Sequence, residues 1–284
     1  AKGEIERGLG LQQDAVAQLQ QAPEVTPRML GTARANLAMA YLQAGQLDAA
    51  EAENQRALAI FRQAALPLNS GLPVVLTNLG HLAILRGEPK IALDRYDLAL
   101  AATLRSATRT PGHAALLNAR ARALLLLDRA GEALPLAREA ESILRERTGE
   151  QSPSRLGALI TLADIAVASA DLGGALDYLD TAQAIAQAKL PPTHPLRVRL
   201  DLSRATRQRA IGASAALATE LQRIGSALAL GPALLQSSAA RAEIMLAEMR
   251  AQAGDTSDAI AALQRALDLL EPLQPAHGVD RLEA

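Results

Sequence analysis

The stretch Asn36-Leu37-Ala38-Met39-Ala40-Tyr41-Leu42-Gln43-Ala44-Gly45, then Gln46-Leu47-Asp48, then Ala49-Ala50-Glu51-Ala52-Glu53-Asn54-Gln55-Arg56-Ala57-Leu58-Ala59-Ile60-Phe61, reads as two helices with a stop between them. Apolar residues recur at helical spacing in both halves. Gly45 suits the left-handed backbone with which helices commonly end. The same pattern returns along the chain. Ala50, Ala92, Ala133, Ala175, Leu217 and Ala259 follow one another at steps of 42, 41, 42, 42 and 42. Twelve residues before each stand Ala38, Gly80, Ala121, Ala163, Ala205 and Ala247; seven after stand Ala57, Ala99, Ala140, Ala182, Ile224 and Ala266. Small residues locked at three phases of one period mean that helix backbones approach closely at the same places in every unit. A period of this length marks a solenoid, whose units bury their apolar faces only against their neighbours.

Punctuation agrees. Gly45, Gly87, Gly212 and Gly254 share one phase, with Asp128 and Ala170 in that place in the two middle units. Twelve of the fourteen prolines fall between units; Pro89 and Pro135 are expected in the opening turns of second helices, where a missing N–H costs little. No alternating pattern of strand type appears. The sequence therefore predicts an all-α solenoid of antiparallel helix pairs.

The string Asn-Leu-Ala…Tyr…Gly…Ala…Ala-Leu-Ala-Ile looks like the tetratricopeptide repeat (TPR). The 42-residue step resembles the kinesin-light-chain type of that repeat, as does the connector Leu190-Pro191-Pro192-Thr193-His194-Pro195. The resemblance implies a right-handed superhelix and covers roughly residues 25–271. Residues 23–271 divide into six helix pairs. Residues 1–22 read as the second helix of a unit whose first helix is missing, since Gly8, Ala15 and Leu19 stand one period before Ala50, Ala57 and Phe61. Residues 272–284 read as a linker or the start of a further repeat. The ends are those expected of a fragment of a longer protein. The fifth unit departs most from the pattern: Leu217 and Ile224 replace small residues, and wider packing is expected there.

Composition narrows the function. The chain is 49% hydrophobic but only 1% aromatic, so its core is alanine and leucine. A net charge of −1 gives no overall reason to expect nucleic acid or an acidic membrane. One Phe, three Tyr and no Trp also leave little for base stacking. Three lysines stand against 26 arginines, which with so much alanine is the composition of a GC-rich bacterial genome. The absence of cysteine excludes disulfides, zinc–thiolate sites and thiol catalysis. No apolar run reaches transmembrane length, no signal-peptide pattern opens the chain, and the compartment stays open between cytoplasm and periplasm.

The chemistry of single residues points away from an enzyme and calls for no metal or cofactor. His113, His194 and His277 lie in linkers about two periods apart and read as linker caps; alternate loops cannot share one metal ion. No Ser-His-Asp order, phosphate loop or His-Glu-x-x-His string occurs. Acids such as Asp94 and Asp97, or Glu139 and Glu141, alternate with Arg95 and Arg138 and read as solvated faces. The cluster Arg197, Arg199, Arg204, Arg207 and Arg209 suits either an acidic partner or, the favoured reading, a polar helix surface balanced by Asp201 and Glu220.

The inner face remains. By the TPR resemblance, first helices line a concave groove. One phase there reads Asn36, Asn78, Ala119, Thr161, Ser203 and Met245, with Asn118 one residue off; the next turn reads Met39, His81, Arg122, Asp164, Thr206 and Glu248; further on come Gln43, Leu85 and Arg209. The resemblance implies that Asn36 and Asn78 hold a peptide main chain while Met39, His81 and Leu85 shape a side-chain pocket. The alternative for the two asparagines is a bond within their own helices. A lysine-based carboxylate clamp is not expected, because no lysine falls in a first helix. The expectation is a non-catalytic protein- or peptide-binding scaffold or sensor within a larger bacterial signalling protein. By resemblance, such arrays are joined to Ser/Thr kinases and transcriptional regulators. The alternative is a self-association module that forms homo-oligomers.

Overall fold

The computed structural model describes residues 2–64, 71–104, 109–191, 194–212, 214–229 and 236–273. His277 and the expected linker after Leu273 lie outside these residues. Helix α1 spans Lys2–Gln21. Six helix pairs follow: α2 (Pro27–Ala44) with α3 (Leu47–Gln63), α4 (Leu72–Leu85) with α5 (Pro89–Leu104), α6 (Pro111–Leu126) with α7 (Ala130–Thr148), α8 (Leu156–Ala168) with α9 (Leu172–Lys189), α10 (Pro195–Ile211) with α11 (Ala215–Ala229), and α12 (Gln236–Gln252) with α13 (Thr256–Leu270). No strand occurs among the described residues.

Local chemistry starts and stops these helices. Thr26 and Thr110 accept hydrogen bonds from the backbone N–H groups of Met29 and His113, each ahead of a first-turn proline. His194 caps α10 through Nδ1, which accepts from Leu196 N–H at 3.2 Å, as expected of a linker histidine. His113 does otherwise: its N–H takes the cap and its ring turns inward. Gly45, Gly87 and Gly254 leave their helices left-handed at φ 77°, 75° and 86°, and Asp128 and Ala170 hold the same conformation at 58° and 59° despite their β-carbons. Gly212 is extended instead, at φ 162°. Pro135 departs from expectation: α7 begins at Ala130, so this proline stands in the second turn and removes an N–H the helix would have used.

All three small-residue phases are interior. Ala50, Ala92, Ala133 and Ala175 are 0% exposed, and the remaining members of the three phases are also buried. Close approach is strictest at Gly80, where a β-carbon would sit 2.3 Å from Tyr96 Cε1. In unit 5, Leu217, Leu221 and Ile224 are buried together with Ala239 and Ala242 of α12. Helices α10 and α11 meet less extensively than the partners of the other units, as the larger residues require. Leu9 and Val16 of α1 pack against Leu37 and its neighbours on α2.

Each first helix touches the next first helix, whereas neighbouring second helices meet far less, so the first helices form the inner, concave layer. The curvature is strong. Leu273, just past α13, is 1% exposed and belongs to the same apolar cluster as Leu42, Leu47, Leu82 and Leu85. The winding thus returns the sixth unit to the first two. Asp97 stays solvated while accepting from Arg120 Nε of the next unit at 2.5 Å, whereas Glu141 is largely buried and accepts from Arg155 Nε at 2.9 Å, an inter-unit tie rather than a solvated acid.

Candidate functional site

The inner face changes character along the array. Between the N-terminal halves of α4 and α6 lies a cavity of about 400 Å³, lined by Met39, Gly71, Val74, Thr103, Gly112 and His113 among others. Its origin is a missing side chain. In unit 1, Phe61 fills the space between Gly31 and Gly71 so closely that β-carbons there would sit 2.7 and 2.5 Å from its ring. One period later, Thr103 replaces Phe61, while Gly112 stands one period after Gly71. The glycine that would admit a ring is kept and the ring is gone. Val74 is 44% exposed at the mouth, and His113 Nδ1 is buried there without a hydrogen-bond partner.

The residues singled out in the sequence separate into three groups. Met39 lines the cavity, and Asn36 and Gln43 are exposed on α2. Asn78 also lines the cavity, though almost fully buried, and Leu85 is closed off. Asn78 is 1% exposed and its Nδ2 donates to the Ala35 carbonyl at 2.8 Å and to Asn54 Oδ1 at 3.2 Å, tying unit 2 to unit 1 instead of bonding within its own helix. Its amide therefore has no free donor pointing at a groove ligand. Leu85 is 7% exposed in the cluster that holds Leu273, while Leu126, one period later, is 55% exposed. The return of the last unit accounts for the difference. Asn118 is half-buried and its Oδ1 has no partner.

His81, Arg122 and Asp164 come together in a third group. His81 Nδ1 and Tyr96 Oη share a hydrogen bond of 2.8 Å, with the rings edge-on at 5.6 Å. Burial, and secondarily the charge of Arg122, push His81 down to about 4. Burial raises the Tyr96 phenol, so it stays protonated. Asp164 accepts from the Ser203 hydroxyl across units 4 and 5. Arg122 is lowered by burial, against the opposing pull of Tyr96 and Asp164 and with a further push from Arg241.

His81 gives a pH dependence with a definite sign. In the unfolded chain the ring takes up a proton near 6.5, and in the folded chain only near 4. The stabilisation from a neutral His81 is complete above the first value and is lost as pH falls towards the second. Ring-proton NMR should find His81 half-protonated near pH 4; a midpoint at 6 or above would contradict the buried contact with Tyr96.

The arginine-rich stretch of α10 disperses. Arg197 and Arg207 donate to the Leu190 and Leu172 carbonyls at 3.0 and 2.8 Å, Arg204 pairs with Asp180 at 2.8 Å, and Arg209 pairs with Glu248 of α12. These four belong to packing between units. Arg199 reaches along the inner layer to α8, where its Nη2 donates to Thr161 Oγ1 at 3.3 Å. Burial, Arg122 and Arg241 lower it to about 9. Arg199 and Arg241 stand 42 residues apart, one turn before Ser203 and Met245. That phase, like the Phe61-to-Thr103 change, was legible in the repeat but is overlooked when only the asparagine phase and the turns after it are followed.

No helix among the described residues is long and apolar enough to cross a membrane. No protein-family model matches the chain. None of the curated proteins matches its sequence. Solved structures do match its fold. The Rap conjugation gene regulator of plasmid pLS20, in complex with the Phr* peptide, is 14% identical, covers 96% of this chain and 70% of its own, and superposes with a TM-score of 0.73. A Rap protein complexed with competence and sporulation factor is 10% identical over 96% of this chain and 78% of its own, with a TM-score of 0.71. BtubC (BKLC) from P. vanneervenii is 18% identical over 99% and 96%, with a TM-score of 0.56. The fold is a TPR array, an all-α solenoid wound as a right-handed superhelix.

Proposed function

We propose that the inner groove holds an extended peptide or protein segment, and that the chain is the non-catalytic binding or sensing part of a bacterial signalling or regulatory protein. The observation that carries this reading is the cavity at Thr103. It is a preformed, largely apolar space of about 400 Å³ on the inner layer, left where the repeat omits an aromatic ring. A peptide side chain placed there supplies the packing that Phe61 supplies one unit earlier, and His113 Nδ1 offers a polar contact beside it. The two Rap structures, one in complex with the Phr* peptide and one with competence and sporulation factor, share this fold over 96% of the chain and support a peptide ligand. Among the residues picked from sequence, Met39 and Asn36 stand at the cavity end, and Asn118, Arg122 and Asp164 further along. Asn78 lines the cavity wall and holds α4 to α2.

Thr103→Phe tests this directly. The ring should fill the cavity from within, leave the melting temperature equal or higher, and reduce capture of peptides selected on the parent protein at least tenfold. Undiminished capture by a folded Thr103→Phe protein would remove the cavity from the site.

A second reading, self-association, rests on α13, where Ile260, Leu263 and Leu267 are 62%, 46% and 61% exposed. Light scattering separates the two. A mass that falls on dilution towards 29.8 kDa favours self-association, and a constant monomer with peptide capture favours the groove.

A further inference from the structure

A second cavity, of about 560 Å³, lies between the second helices α9 and α11 with α10 beneath it, and so opens away from the inner layer. None of the inner-layer residues of α10, Arg199, Ser203 or Thr206, lines it. Its floor is Ala205 and Leu217, at the crossing where unit 5 carries its larger residue and its helices meet least. Its walls are polar where the repeat elsewhere places leucine. Asp201 stands at the phase of Leu76, Leu117 and Leu159, and Arg204 at the phase of Leu37, Leu79, Leu162 and Leu246. Those leucines are all buried.

The two replacements are three residues apart on α10, a spacing that sets their β-carbons about 5–6 Å from each other. They do not pair. Arg204 Nη2 donates to Asp180 of α9 at 2.8 Å, and its Nη1 is buried without a partner. Asp201 Oδ2 accepts from Arg223 at 3.4 Å, and its other oxygen has no hydrogen bond among the described residues. Burial raises the Asp201 carboxyl, against the pull of Arg223. A donor and a carboxylate left short of partners cost stability that leucine at the same places would not. Gln183, Gln187 and Gln208 add three carboxamides to the walls, each with donors and an acceptor to offer.

A simple anion drawn to Arg204 would meet Asp201 and Glu220, and a simple cation drawn to Asp201 would meet Arg204. A ligand that carries both charges close together satisfies both sides. The α-carboxylate and α-ammonium of an amino acid sit on one carbon and suit two side chains one helical turn apart. We infer that this cavity binds a free α-amino acid with a polar side chain, its carboxylate on Arg204, its ammonium on Asp201 and its side chain among the glutamines. The volume falls in the range of about 300–1,000 Å³ usual for small-molecule sites. The site is separate from the peptide groove and gives the array a second, small-molecule ligand.

The test offers the free proteinogenic L-amino acids, singly and at millimolar concentration, to the 284-residue chain and reads binding by calorimetry and by the rise in Tm. A polar amino acid should bind. Its C-terminal amide, which lacks the carboxylate, and its N-acetyl derivative, which lacks the ammonium, should each bind about ten- to a hundredfold more weakly. Arg204→Leu and Asp201→Leu restore the leucine of other units, so each should leave Tm of the free protein equal or higher while weakening the same amino acid to a similar degree. The two derivatives are measured on the parent protein, so they decide the matter even where a leucine variant does not fold. Absence of binding by every amino acid, binding led by an apolar one, or equal binding of the amide or the acetyl form would overturn the site. So would undiminished binding by a folded Arg204→Leu protein. None of these results bears on the peptide groove, which Thr103→Phe tests by itself.

Discussion

Arg155→Met is expected to lower stability by about 3–5 kcal/mol, although no sequence pattern marks this residue. Arg155 closes a short 3-10 turn, Pro153–Arg155, at the entry to α8 and is 6% exposed. Its Nε donates to Glu141 Oε1 at 2.9 Å, its Nη2 donates to the same oxygen, and its Nη1 donates to the Glu150 carbonyl. The two side chains are only 8% and 12% exposed. One guanidinium therefore joins α7, the linker and α8. Methionine fills much of the same volume but leaves Glu141 as a buried carboxylate without a cation, and the Glu150 carbonyl loses its donor. The cost is that of an uncompensated buried charge, far above the value of a surface ion pair. Urea unfolding at unchanged m-value is the measurement. The double variant Arg155→Met/Glu141→Leu should recover most of the loss, because the stranded charge is then gone. A single variant within 1 kcal/mol of the parent would mean that water reaches Glu141 and that the tie between units 3 and 4 is dispensable.

Leu217→Ala is expected to destabilise by about 2–5 kcal/mol, even though it restores the residue found at that phase in the other five units. In units 1 to 4 the alanine at this place is 0% exposed and a partner backbone lies close over it. In unit 5 the helices stand further apart, and Leu217 at 4%, Leu221 at 0% and Ile224 at 0% fill the gap together. Truncating one of the three leaves a cavity that two helices anchored elsewhere in the stack cannot close. The loss should appear in the unfolding midpoint and, by hydrogen exchange, first in α10 and α11. A midpoint equal to the parent's would show that α10 and α11 collapse onto the smaller residue.

Both predictions turn on the division between repeat-wide rules and single exceptions. The 42-residue recurrence of small residues at Ala38, Ala50 and Ala57 is a statement about helix–helix distance, and distance is local. Helix pairs, their order, the buried phases, the Thr110 and His194 caps and the left-handed Gly45 all follow from side-chain size and backbone freedom over a few residues. All of these are legible in the sequence. The departures within the pattern were legible too, as at Leu217 and Ile224, because a missing small residue says that the gap must be wider.

What tertiary structure alone decided is everything that depends on how tightly the stack winds. Winding is the sum of small rotations at every unit, and no single unit encodes it. It buries Leu85 under Leu273 while leaving its repeat counterpart Leu126 exposed. It makes Asn78, which lines the cavity, a tie between units as well, because α4 sits against Ala35 and Asn54. It divides five neighbouring arginines of α10, sending Arg197, Arg204 and Arg207 to partners on unit 4's second helix and its end, and Arg199 and Arg209 to the first helices on either side. The sequence by itself determined which residues face inward at each step of the repeat. Only the accumulated curvature decided which of those inward residues meet, because side chains from distant units share one space only when the superhelix closes around it.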